Sequence, residues 1–346
     1  MNFSKTSNNN NFAENQYNKM VNTPVSKLIT SLAIPTVISM LVTSIYNMAD
    51  TFFVSQISTQ ASAAVGVVFP IMSIIQAFGF TLGMGSGSLI SIRLGQKRNE
   101  EANVIVSTAF FTAICLGCTI TILGTLFSAQ FLSLVGASDS VLPYAKAYAK
   151  YIFFGAPIMT ASFVLNNVLR SEGKAFFSMI GLTTGGILNI ILDPIYIYAL
   201  DLGISGAAIA TLCSQSISFL ILLTCFLKHK TVCHINIKLY SLKKEVLPKI
   251  VTTGFPSLSR QGLSSISSIL LNTAAGAYGD AAIAGMTITT KIVMFVASIM
   301  IGVGQGFSPV SGYNFGAKRY DRVKQAYTFT LTAGFILMGS LATIIF

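Results

Sequence analysis

Apolar residues fall in nine long runs along this chain, separated by short breaks that carry most of its polar residues. The runs occupy 28–55, 61–94, 104–126, 141–169, 175–200, 204–227, 246–277, 281–315 and 323–346. About 20 apolar residues are enough to cross a bilayer as a helix. The pattern therefore predicts nine transmembrane helices and an all-α polytopic membrane protein, with the longer runs tilted, kinked or projecting beyond the bilayer. Residues 1–26 are polar and Asn-rich and lack the apolar core of a signal peptide, so they predict a disordered tail.

The breaks set the orientation, because cytoplasmic loops carry the excess of Lys and Arg. Alternate breaks are basic, and 18 of the 22 Lys and Arg residues lie in or beside them. The tail is one of the basic segments, so the N-terminus is expected in the cytoplasm. A net charge of +11 on 346 residues would otherwise suggest a nucleic-acid partner. Here it reads as membrane topology. The 53% hydrophobic and 10% charged content agrees, since soluble chains average about 25% charged.

Shifting the chain by 221 residues against itself reveals a repeat. Pro35 falls on Pro256, Ser44 on Ser265, Gly83 and Gly85 on Gly304 and Gly306, and Gly95, Lys97 and Arg98 on Gly316, Lys318 and Arg319. Six helices separate the copies, an even number, so the copies run parallel about an axis along the membrane normal, a known transporter construction. This divides the chain into a tail (1–26), a six-helix lobe (27–227), a basic cytoplasmic linker (228–248) and an incomplete second lobe (249–346). The second copy stops about three helices short of the first by the same periodicity, so a twelve-helix parent is expected.

Two acids lie inside the first lobe's runs. Asp50 is in the first run with Pro35, and Asp193 is in the fifth, within LNIILDPIYIY. A carboxylate in a membrane helix costs roughly 2.5–3.5 kcal/mol at mid-bilayer on insertion scales, so it marks a cavity or a partner. Both acids fall in the outer half of their helices. Tyr148 and Thr211 reach the same level on descending helices, and Asn189 lies one turn from Asp193. Asp50, Asp193, Asn189, Tyr148 and Thr211 thus form a candidate ion-coupling site. Two carboxylates in a low-dielectric site resist ionising together, so they would share a proton or a cation such as sodium. No other metal and no cofactor is expected. Tyr46 and Asn47, beside Asp50, and Asn166 and Asn167, deeper in the fourth run, are candidate lining of a substrate cavity.

Other signals read as packing. Gly83-Met-Gly85-Ser-Gly87 superficially looks like a phosphate-cradling loop, but it lies within a membrane helix and has a counterpart at Gly302, Gly304 and Gly306. Cys115-x-x-Cys118, Cys213 and Cys225 read as packed thiols. His229, Cys233 and His234 read as part of a solvated loop. Arg260 and Lys291 read as structural charges, paired with carbonyls or snorkelling. No acid occupies the position equivalent to Asp50, which is Leu271.

With LAIPTVISMLVTSIYNMADTFFVSQI, LNNVLRSEGK, LNIILDPIYIY, GISGAAIAT and the repeated Gly-x-Lys-Arg breaks, the chain resembles the multidrug and toxic compound extrusion (MATE) transporters, from about residue 25 onward. The resemblance implies twelve helices in two lobes. It also implies export of organic cations and amphipathic drugs across the cell membrane in exchange for protons or sodium, and a bend of the first membrane helix at Pro35. In the prokaryotic branch with an acidic N-terminal lobe, the family's two acids match Asp50 and Asp193, with Tyr148, Asn189 and Thr211 alongside. Thr43 stands where a glutamine is expected, and Ser264 lies near the position where other branches carry an acid. A non-enzymatic monomeric antiporter in the bilayer is expected, with no nucleic-acid partner. The alternative is an exporter of a lipid-linked sugar or an endogenous metabolite; a membrane enzyme or receptor is less expected, because the chain carries no His within any run and no sizeable extramembrane domain.

Overall fold

The computed structural model describes residues 3–228, 230–241, 245–276 and 280–345. Helices match the nine predicted runs one for one: α2 (Val25–Ser55), α3 (Thr59–Gly95), α4 (Asn99–Leu126), α6 (Leu142–Ser171), α7 (Ala175–Pro194), α8 (Gly203–Leu227), α9 (Leu247–Gly276), α10 (Asp280–Gly316) and α11 (Tyr320–Ile345). A single π turn, Ile195–Ala199, prolongs α7. Two further α-helices, α1 (Phe3–Asn22) and α5 (Ser128–Leu134), and a 3-10 turn, Ile237–Leu239, complete the described set, and no strand occurs among the described residues. Seven segments there are long and apolar enough to cross a membrane: α2, α3, α4, α6, α7 with its π turn, α8, and Ile292–Gly316 of α10.

In the first lobe, α6 is the hub. It packs against α3, α4, α7 and α8, and most of it is buried. Small residues allow the helices to approach closely, as expected where bilayer tails offer no hydrophobic drive for association. A Cβ on Gly83 would fall 2.7 Å from the Asn167 amide nitrogen of α6. Gly83, Gly85 and Gly87 of α3 are thus helix contacts. Between the lobes, α2 meets α10, and α3 meets both α9 and α10.

The repeat reappears as symmetry. A Cβ on Gly95 would overlap the Tyr313 carbonyl, and a Cβ on Gly316 would overlap that of Ile92. The shift maps Gly95 onto Gly316 and Ile92 onto Tyr313, so this is one contact made twice, residue i on j and j on i, the mark of a two-fold relation. The turns that follow also correspond. Lys97 and Lys318 both adopt φ 60°. The Arg98 amide bonds the Arg93 carbonyl at 2.9 Å, and the Arg319 amide bonds that of Asn314 at 2.8 Å.

Several expectations are corrected. The polar tail is largely helical, and α1 buries Met20 and Val21 in its last turn. Tertiary bonds hold it where composition alone offers no core. Gln16 donates to the Glu172 carbonyl at 2.6 Å, Glu14 pairs with Lys97 at 3.5 Å, and Asn314 of α10 donates to the Met20 carbonyl at 3.3 Å. The segment therefore touches both lobes. Cys115 and Cys118 are exposed on α4 and are not packed thiols; Cys225 is buried and Cys213 half-buried. Periodicity had given no reason to put the first two on the outer face. Thr231, Val232 and Cys233 are buried, so this part of the linker is no solvated loop. Arg260 is exposed on α9. His229, Lys243, Lys244 and the side chain of Lys291 lie outside the described residues.

Candidate functional site

At the lysine-poor end of the first lobe, four helices bring polar side chains to one place. Asp193 is on the last turn of α7, fully buried, with Asn189 one turn before it. The Asn189 amide donates to Asp193 Oδ1 at 3.1 Å and, more weakly, to Thr211 Oγ1 of α8 at 3.4 Å. Tyr148 of α6 is buried within hydrogen-bond reach of Thr211, and in electrostatic range of Asp50, Asp193 and Tyr46. Asp50 of α2 and Asp193 also act on one another. The five residues expected to form an ion site are thus assembled, with Tyr46 beside Asp50.

Their hydrogen bonding is incomplete. Asp50 Oδ1, Asn189 Oδ1 and Asp193 Oδ2 are buried and have no partner among the described residues. A buried oxygen without a donor is costly and normally finds one. Three such oxygens, two of them from carboxylates, form an all-oxygen donor set that suits a proton or a hard monovalent cation rather than a soft metal. The residues present therefore fit the ion proposed from the sequence. No group of three His, Cys, Asp or Glu residues suited to a metal occurs among the described residues.

The other candidates separate. Asn47 is exposed and turns its amide onto its own helix, donating to the Thr43 carbonyl at 2.9 Å. Asn166 donates to the Ser178 carbonyl at 3.3 Å, and Asn167 to that of Phe163 at 2.7 Å. Ser178 lies on the first turn of α7 and Asp193 on the last, about 22 Å apart at 1.5 Å per residue. Asn166 and Asn167 thus serve helix packing near the basic end, and the structure does not bring them to the acids. Pro35 lies inside α2, which continues through it.

The α2 segment between Pro35 and Asp50 has an unusual backbone environment. Pro35 has no N–H to give to the Ser31 carbonyl. Beyond it, Thr36, Ser39, Thr43 and Thr51 each return their hydroxyl to the carbonyl four residues back, at 2.8 Å in every case. Such back-bonding competes with the helix ladder and favours bending.

Two features escaped sequence reasoning. Tyr198, in the π turn that follows Asp193-Pro194, donates to the Phe53 carbonyl at 2.9 Å and so joins α7 to the end of α2. Its signal was the aromatic pair closing LDPIYIY. At the basic end, Glu172 is fully buried between α6 and α7. Its Oε2 accepts from the Val232 amide and its Oε1 from that of Cys233, each at 2.8 Å. Burial pushes this carboxyl above its ordinary range, while Lys174 and the two amides pull it back. Its signal was an acid standing in a basic break.

The MatE family profile matches residues 35–195 and 256–346. Over 297 residues the chain is 31% identical to the Multidrug export protein MepA of Staphylococcus aureus, covering 86% of this chain and 66% of that protein. MepA of Staphylococcus saprophyticus is 31% identical over 293 residues, 84% of this chain and 65% of its own length. Among solved structures, an outward-facing multidrug resistance MATE family transporter of the MOP superfamily superposes with a TM-score of 0.90 at 31% identity. That match covers 94% of this chain and 73% of the other. MATE in complex with MaL6 gives a TM-score of 0.91, also at 31% identity, over the same shares. The chain thus spans just under two thirds of the length of the curated relatives it matches.

Proposed function

Since this chain belongs to the MatE family, we propose that it forms the ion-coupling part of a multidrug exporter, an antiporter that moves organic cations or amphipathic drugs out of the cell in exchange for protons or sodium. The observation that carries this reading is the set of three buried, unpartnered oxygens on Asp50, Asn189 and Asp193. An ion bound there would supply the missing partner. It would also neutralise part of the charge that the two acids share.

Coupling requires that the ion bind one conformation better than the other. Here α2 carries Asp50, packs on α7 within its own lobe, and meets α10 across the lobe boundary. A change of bend at Pro35 would therefore move Asp50 relative to Asp193 and alter the wall between the lobes together. The hydroxyl-bonded stretch after Pro35 is the part of α2 most able to take that change. With the basic end and the N-terminus in the cytoplasm, the acids lie toward the outer side of the membrane. No cofactor takes part, and the reading needs only one protomer.

The test is dye efflux from de-energised cells expressing the complete protein, after imposing a sodium or a proton gradient, with Asp193→Asn alongside. Efflux that follows one gradient and disappears in the variant supports the reading and names the ion. Coupled efflux undiminished in Asp193→Asn overturns it.

A further inference from the structure

The basic end holds a second site of a different chemistry. Between α7 and α8 runs a groove of about 400 Å³, walled by Ile180, Ile217, Leu220 and Thr224, with Lys228 and Lys230 at its mouth. Phe177 and Lys230 also line a second cavity of about 450 Å³, which meets Lys19 of α1 and Lys174. The Lys230 ammonium lies 5.7 Å from the Phe177 ring centre, over the wall the two cavities share. An apolar slot therefore ends at Lys228 and Lys230, with Lys19 and Lys174 around the adjoining cavity.

No Asp or Glu lines either cavity. The neighbouring cavity on the other side of α1 differs, because there Glu14 pairs with Lys97 at 3.5 Å. Lys174 is engaged by its neighbours: it donates to the Lys230 carbonyl, sits 3.9 Å from the Phe12 ring centre, and interacts with Glu172. Lys19, Lys228 and Lys230 are exposed. The groove opens among side chains that face the bilayer, with Phe176 and Leu220 each 57% exposed.

We propose that this groove binds an anionic phospholipid, with its phosphate headgroup against Lys228, Lys230 and Lys19 and one acyl chain in the slot between α7 and α8. Basic pockets between membrane helices suit such headgroups, and each Lys near an anionic membrane surface contributes appreciably. A free anion would satisfy the lysines but would leave the slot unfilled. A zwitterionic lipid would fill the slot but bring no net charge to the lysines. The proposal stands apart from the transport reading; the orientation given above serves only to name the leaflet as cytoplasmic.

The experiment titrates the purified full chain in neutral detergent with phosphatidylglycerol, with phosphatidylcholine of the same chains, and with glycerol phosphate, counting bound lipid by native mass spectrometry. Phosphatidylglycerol is expected to bind in preference to both. The double variant Lys228→Gln/Lys230→Gln should weaken it on the order of tenfold, and Thr224→Phe, which narrows the slot without changing charge, should also weaken it. Lys146→Gln/Lys150→Gln, at the opposite end, should leave it unchanged. Thr224, Lys228, Lys230, Lys146 and Lys150 are all exposed, so the substitutions leave the core intact, and melting midpoints verify that each variant is folded. Undiminished binding to either groove variant, equal binding of phosphatidylcholine, or full competition by glycerol phosphate would overturn the proposal.

Discussion

Two fully buried carboxylates mark the two ends of the first lobe, and their surroundings are opposite. Glu172, at the basic end, has both oxygens bonded to backbone amides of the linker and a lysine nearby. Asp193, at the other end, has one oxygen on Asn189, the other without a partner among the described residues, and a second acid in electrostatic range. The first is a completed bond between two parts of the chain. The second is an acceptor set left open. The difference teaches that burial of an acid does not by itself indicate its role; the state of its hydrogen bonding separates a clasp from an ion site.

The largest expected effect is on the clasp. Glu172→Ala leaves the Val232 and Cys233 amides without an acceptor and Lys174 without its counter-charge, and should cost about 3–5 kcal/mol. A melting curve of the purified protein measures it, and a wild-type midpoint would break the comparison. Glu172→Gln keeps one acceptor oxygen and should cost less, about 1–3 kcal/mol. It should also open residues 230–236 of the linker to limited proteolysis, which Asp193→Asn should not do. Asn103→Ala removes the acceptor of the His234 amide, at 2.8 Å, and should cost about 1 kcal/mol with a smaller rise in linker cleavage. Smallest is the effect of Asp193→Asn on stability. It removes a charge that has an unpartnered oxygen, so the melting midpoint should hold or rise slightly even as coupled efflux is lost. A large fall in stability would show that Asp193 is a clasp after all.

Much of the fold was legible because bilayer crossing leaves a long, local signature. Nine apolar runs predicted nine helices, and the Pro, Gly and basic residues of the repeat predicted two parallel copies, the relation that the reciprocal contact of Gly95 with Tyr313 and Gly316 with Ile92 then displays. The acidic cluster was legible for the same reason: an acid in an apolar run stands out, and counting residues from each helix end sets its depth. Depth is not direction, however. Asn47 has a suitable depth but an exposed face, and Asn166 and Asn167 lie at the other end of their helix. Polar segments were the least legible, since nothing local tells a tail or linker that finds buried partners from one that does not.

The sequence by itself determined the class, the number of helices that match its apolar runs, the two-fold repeat and the pairing of Asp50 with Asp193 at one level, because these rest on composition and on the fixed rise of a helix. Only the tertiary structure decided that α1 docks across both lobes, that Glu172 holds the linker, that Tyr198 joins α7 to α2, and that lysines from α1 and the linker gather at an apolar groove. Each of those depends on groups far apart in the chain meeting within a few ångströms, and the hydrogen-bonding needs of a polar residue do not specify which distant partner will meet them.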